Sequence, residues 1–128
     1  MTRLRCAVVG AGYLGRFHAQ KYAVLPDCEL VGVADPAPEA RARLETELGV
    51  ACVADHRELL GRVDAVSVAT PTASHHAVAR DFLAAGVHVL VEKPITATAE
   101  EARELIAIAA GRGLVLQVGH LERFNPVI

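Results

Sequence analysis

No apolar run in this 128-residue chain approaches the roughly 18 residues that a membrane-spanning helix needs, and no signal-like leader precedes its first apolar segment, Leu4 to Val9. Blocks of like charge are also missing. The 13 basic and 15 acidic residues are interspersed and leave a net charge of −2, so the electrostatic footprint that nucleic acid or a lipid surface requires is absent. Cysteine is scarce: Cys6, Cys28 and Cys52 are odd in number, widely spaced and form no C-x-x-C. That pattern implies neither pairing nor metal ligation, and Cys6 and Cys52 read as small buried residues of a reducing compartment. Repeats and low-complexity segments do not occur. These absences leave a cytoplasmic chain with one ordinary core, and neither nucleic acid nor membrane is an expected partner.

What is present begins with Leu4 to Val9, a strand that runs into Gly10, Gly12 and Gly15 at the spacing G-x-G-x-x-G. Gly10 permits a tight turn, Gly12 lets backbone approach a pyrophosphate, and Gly15 lets the following helix lie against the strand. The anion would rest on the orphan N–H groups at the helix start, near Tyr13 and Leu14, where the macrodipole also favours negative charge. A second apolar strand, Leu30 to Ala34, ends in Asp35, 20 positions after Gly15. An acid there is placed to accept the ribose hydroxyls and to repel a 2′-phosphate, which predicts NAD over NADP. Arg41 and Arg43 lie one to two turns into the next helix, too far along it to clamp a phosphate.

The rest of the chain alternates short apolar strands with helices. A helix follows the glycine loop as far as Pro26, and a second runs from Pro36 and Pro38 to Leu48, with Gly49 as its left-handed cap. Val50 to Val53 is a short strand, and Asp55 and Glu58 have the capping-box spacing for a brief helix. Strands are predicted at Ala65 to Ala69, Val87 to Val91 and Leu114 to Val118. Helices lie between them, the last opened by Thr98 and Glu101 and closed at Gly111. Continuous apolar strands buried on both faces indicate a parallel sheet, so the fold class is α/β, a doubly wound Rossmann sheet of order 3-2-1-4-5-6.

Ligands of such sheets bind beyond the carboxyl ends of the strands. The loops there carry the glycines, Asp35, the run Ala69-Thr70-Pro71 to His75, the run Glu92-Lys93-Pro94, and His120. Lys93 draws attention because the chain has two lysines against 11 arginines. Beside a nicotinamide its ammonium could hydrogen-bond a substrate hydroxyl and act in proton transfer. Pro94 makes Lys93 extended or the bond between them cis. His75 is expected either on the nicotinamide side or solvating the first helical turn. His120 divides evenly between crevice and structure, and Glu92 is expected to tie neighbouring loops to a free N–H. His18, His56 and His88 read as surface or packed residues. His75 and His76 point about 100° apart on a helix and cannot share an ion, so no metal is expected.

Together the glycine loop with Arg16-Phe17-His18, Asp35, the segment Ala69 to His75 and Glu92-Lys93-Pro94 resemble the cofactor domain of the Gfo/Idh/MocA oxidoreductases over nearly the whole chain. The resemblance implies an NAD-dependent sugar or nucleotide-sugar dehydrogenase. Lys93 would be catalytic, with Gly10, Gly12, Tyr13, Leu14, Gly15, Asp35, Ala69, Thr70, Pro71, His75, Glu92, Lys93 and His120 around the cofactor. It also implies a cis Lys93-Pro94 bond. The tail Val118 to Pro126 is most like members acting on nucleotide-linked amino sugars. Residues 1–118 would then form the NAD-binding domain, and 119–128 would begin the connection to a substrate domain outside these residues. Self-association beside the sixth strand is expected. A stand-alone NAD(H)-sensing module and a CoA-type Rossmann domain are the rivals, the latter having no need of Glu92-Lys93-Pro94.

Overall fold

The computed structural model describes residues 3–119. Six parallel strands, β1 (Leu4–Val9), β2 (Cys28–Ala34), β3 (Cys52–Val53), β4 (Ala65–Val68), β5 (His88–Val91) and β6 (Leu116–Val118), form one sheet in the order β3-β2-β1-β4-β5-β6. Helices α1 (Tyr13–Val24), α2 (Pro38–Leu48), α3 (Thr72–Ala84) and α4 (Ala99–Arg112) make the crossovers, with a one-turn 3-10 helix at His56–Leu59.

Successive strand residues face opposite sides, so β1 feeds two cores. From β1, Cys6 and Val8 join Val33, Tyr22 and Leu44 under α1 and α2. Ala7 and Val9 join Val66, Val68, Phe82 and Leu105 under α3 and α4. Phe82 is fully buried, a burial that contributes roughly 1.5–3 kcal/mol. Tyr22 also carries a polar tie through the first core: its hydroxyl lies 2.6 Å from Ser67 Oγ on β4, and burial pushes the phenol up to about 12. The Cys6 thiol is likewise pushed up to about 12 by burial, and all three cysteines are free.

Boundaries differ from the sequence reading where a helix end consumes the next residues. α4 passes through Gly111 and stops at Gly113, which has the left-handed φ of 67° that a helix end uses. Leu114 N–H then closes back on Ala109 O (2.9 Å) and Val115 N–H on His88 Nδ1 (3.0 Å), so β6 starts only at Leu116. β3 is two residues long, and β2 starts two residues earlier than expected, where Cys28 pairs with Leu4. Among the described residues no helix is long and apolar enough to cross a membrane.

Candidate functional site

The glycine loop is built by close contact rather than by flexibility. Gly10 has φ +104°, and a Cβ there would stand 2.6 Å from Ala69 O. A Cβ on Gly15 would stand 1.7 Å from Gly10 O, so α1 can lie against the turn only without a side chain at that point. Gly12 is the opposite case. Its Cβ would meet nothing within 4 Å, because the position faces open space. Gly12 is also the N-cap of α1, which has no side-chain cap and no acid in its first turn. The amides of Tyr13, Leu14 and Gly15 are thus directed at a place where an anion fits and where a protein carboxylate does not compete.

Asp35 directly follows β2 with both carboxylate oxygens engaged: Oδ2 accepts from Ala11 N–H (2.7 Å) and Oδ1 from Ala37 N–H (2.8 Å). The carboxylate is therefore held against the glycine loop, with lone pairs left for ribose hydroxyls. Arg41 folds its side chain back along α2, and Nη1 donates to Asp35 O at 2.8 Å.

A cavity of about 780 Å³ opens at the carboxyl ends of β2, β1 and β4. Gly10, Gly12, Asp35, Ala69, Thr70 and Pro71 line it as the sequence suggested, together with Ser74, Ala77 and Val78 of α3. Its far wall was missed. Residues 54–57 follow β3 and bring Asp55, His56 and Arg57 to the cavity, His56 being held by Asp81 (2.8 Å) and Arg57 by Asp55 (2.7 Å). The carboxyl-end rule that located the other loops applies equally to β3, whose brevity concealed it. Tyr13 is 86% exposed and does not line the cavity.

Lys93 follows β5, the next strand over, and is exposed; the Lys93-Pro94 bond is cis. Its neighbours behave differently from expectation. His75 is only 1% exposed, with Nε2 2.8 Å from Thr70 O and Nδ1 2.9 Å from Pro94 O. Both ring nitrogens face main-chain carbonyls, and the one that carries the proton donates, so the imidazole packs between the loops after β4 and β5. Glu92 is buried too, and its carboxylate meets the His18 imidazole at 2.6 Å. His120 lies outside the described residues, as do residues 120–128 of the expected connection. No group of three or more His, Cys, Asp or Glu among the described residues could hold a metal ion.

Residues 4–120 match the oxidoreductase family with an NAD-binding Rossmann fold, GFO_IDH_MocA. The chain belongs to the Gfo/Idh/MocA family. Within it, the UDP-N-acetylglucosamine 3-dehydrogenase of Acidithiobacillus ferrooxidans is 48% identical over 128 residues, covering 100% of this chain and 40% of that protein. The crystal structure of that enzyme superposes with TM-score 0.89 over 100% of this chain and 42% of its own. GenD2 from gentamicin A biosynthesis, solved in complex with NAD, is 39% identical with TM-score 0.88, over 93% of this chain and 35% of its own. The chain thus spans about 40% of the relatives' length, and this Gfo/Idh/MocA segment is the NAD-binding domain.

Proposed function

We propose that these residues form the cofactor half of a cytoplasmic, self-associating dehydrogenase that oxidises a secondary alcohol of a sugar, with nucleotide-linked amino sugars as the first class to try. Gly12 and the first turn of α1 take the pyrophosphate, Asp35 takes the ribose hydroxyls, and the cavity between Asp35 and Arg57 takes the adenine. Bound NAD supplies the hydride acceptor. Lys93 then orients the substrate hydroxyl and assists its deprotonation, while the His75 brace fixes the Lys93-Pro94 segment beside the crevice. The observation that carries this reading is an exposed Lys93 just after β5, at the same carboxyl end of the parallel sheet as the glycine loop and Asp35. The 48% identity to a UDP-N-acetylglucosamine 3-dehydrogenase supports the substrate class.

The test is NADH formation from UDP-N-acetylglucosamine, related UDP-sugars and inositols by these residues joined to the portion corresponding to the rest of the relatives' length. Sugar-dependent NADH that disappears in Lys93→Ala while NAD still binds supports the proposal. NAD binding with no turnover of any alcohol would favour a sensing module instead.

A further inference from the structure

A histidine and a carboxylate meet in the interior between the helix that presents the glycine loop and the strand end that presents Lys93. His18 sits on α1 three residues after Gly15 and is 0% exposed; Glu92 immediately precedes Lys93 and is 4% exposed. His18 Nε2 lies 2.6 Å from Glu92 Oε1. Stability alone is a poor account of such a pair. Desolvating two ionisable groups costs about as much as their attraction returns, and well-packed apolar replacements are often as stable.

Geometry gives a better account. The carboxylate of Glu92 is held by His18, and its backbone N–H donates to Val68 O at 3.3 Å. Glu92 and Lys93 are consecutive residues just after β5, so holding the Glu92 side chain in the interior fixes the backbone from which the exposed Lys93 projects. On the other flank Pro94 O is held by His75 of α3 (2.9 Å). The two restraints are not equivalent. His18 lies on α1, whose first turn faces the pyrophosphate, so the His18–Glu92 contact refers the lysine to the same rigid helix that holds the cofactor's phosphates. His75 refers it to α3 only.

We propose that His18 and Glu92 are positioning residues for Lys93, fixing its place relative to the glycine loop and hence to the nicotinamide end of the cofactor. The inference rests on the reading of Lys93 under Proposed function. With Glu92 as carboxylate, His18 Nε2 carries the proton and donates.

The chain has only two lysines, so Lys21 is a built-in reference. The experiment acetylates the chain with and without NAD at a saturating concentration set by calorimetry, and reads Lys93 and Lys21 by peptide mass. In the unsubstituted chain NAD should slow Lys93 at least ~5-fold, the lower end of ordinary site-to-site coupling, and leave Lys21 unchanged. His18→Leu should lose the protection. His18→Gln, whose amide nitrogen reaches the Nε2 position, should keep it, and His18→Asn, which reaches only the Nδ1 position, should not. The double variant His18→Leu/Glu92→Leu removes both ends of the contact together and covers the case in which His18→Leu alone fails to fold. It should bind NAD and leave Lys93 unprotected. Full protection in His18→Asn or in the double variant overturns the proposal. Absence of protection in the unsubstituted chain overturns the reading of Lys93 itself.

Discussion

A single methyl group separates the two roles of the glycine loop. Gly15→Ala drives a Cβ into Gly10 O, 1.7 Å away, so α1 must move. A cost of about 1–3 kcal/mol or more is expected, with NAD binding lost at the same time. Gly12→Ala meets nothing in the protein, and its φ of −75° suits alanine. Stability should stay within about 0.5 kcal/mol while the added methyl occupies the phosphate approach. Thermal unfolding and NAD calorimetry on both variants check the contrast, and equal loss of stability would refute it. Spacing made these glycines legible, and the same is true of Asp35, which ends an apolar strand. Arg41 was not legible, because helical periodicity locates a side chain's root and not the direction in which it folds. That direction matters for cofactor choice. Asp35→Ser removes the charge that repels a 2′-phosphate and leaves Arg41 beside it. The NADP-to-NAD affinity ratio should rise by at least about tenfold, or 1.4 kcal/mol, and Arg41→Ala on that background should reverse the gain. An unchanged ratio in calorimetric titration would show that Arg41 does not reach the phosphate position.

Between elements, the Tyr22–Ser67 contact pins α1 to β4 across the sheet face. Tyr22→Phe leaves Ser67 Oγ buried and without that partner, and should cost about 1–2 kcal/mol; Tyr22→Phe/Ser67→Ala removes both hydroxyls and should recover most of it. Urea unfolding of the two variants reads the difference, and identical midpoints would mean that the hydroxyls are not coupled. Such ties between elements were the least legible feature of the chain. Strands announced themselves as apolar runs and helices as periodic faces with caps, because those signals depend on neighbours in sequence. His75 and His18 announced little. Whether an imidazole is solvated, lines a crevice or bonds in the interior depends on what the fold brings to it, here Thr70 and Pro94 for one and Glu92 for the other. Helix ends failed for a related reason. Gly111 and Gly113 offer the same conformational freedom, and the side on which Leu114 closes decides between them.

For the molecule as a whole, α1 and α2 pack on one face of the sheet over β1 and β2, and α3 and α4 pack on the other, so this segment should fold without the remaining length of its relatives. NAD binding should also persist alone. The glycine loop, Asp35 and the walls of the cavity all lie within the described residues. Turnover is a different matter. Lys93 is exposed, and nothing among the described residues covers it to exclude water or to fix a substrate against it. Orientation and water exclusion account for a large share of enzymatic rate enhancement, ~7–11 kcal/mol for well-aligned reactants. The 128 residues alone should therefore bind NAD and yield no sugar-dependent NADH. Self-association is expected from the outer side of β6, where Val115 is 51% and Val118 38% exposed. Calorimetry, NADH formation and mass in solution on one sample test all three statements. Robust turnover would show that the site needs no further covering. Failure to bind NAD would show that the crevice is held open by a part of the protein outside these residues, and a strict monomer would mean that the β6 edge is protected by the chain itself.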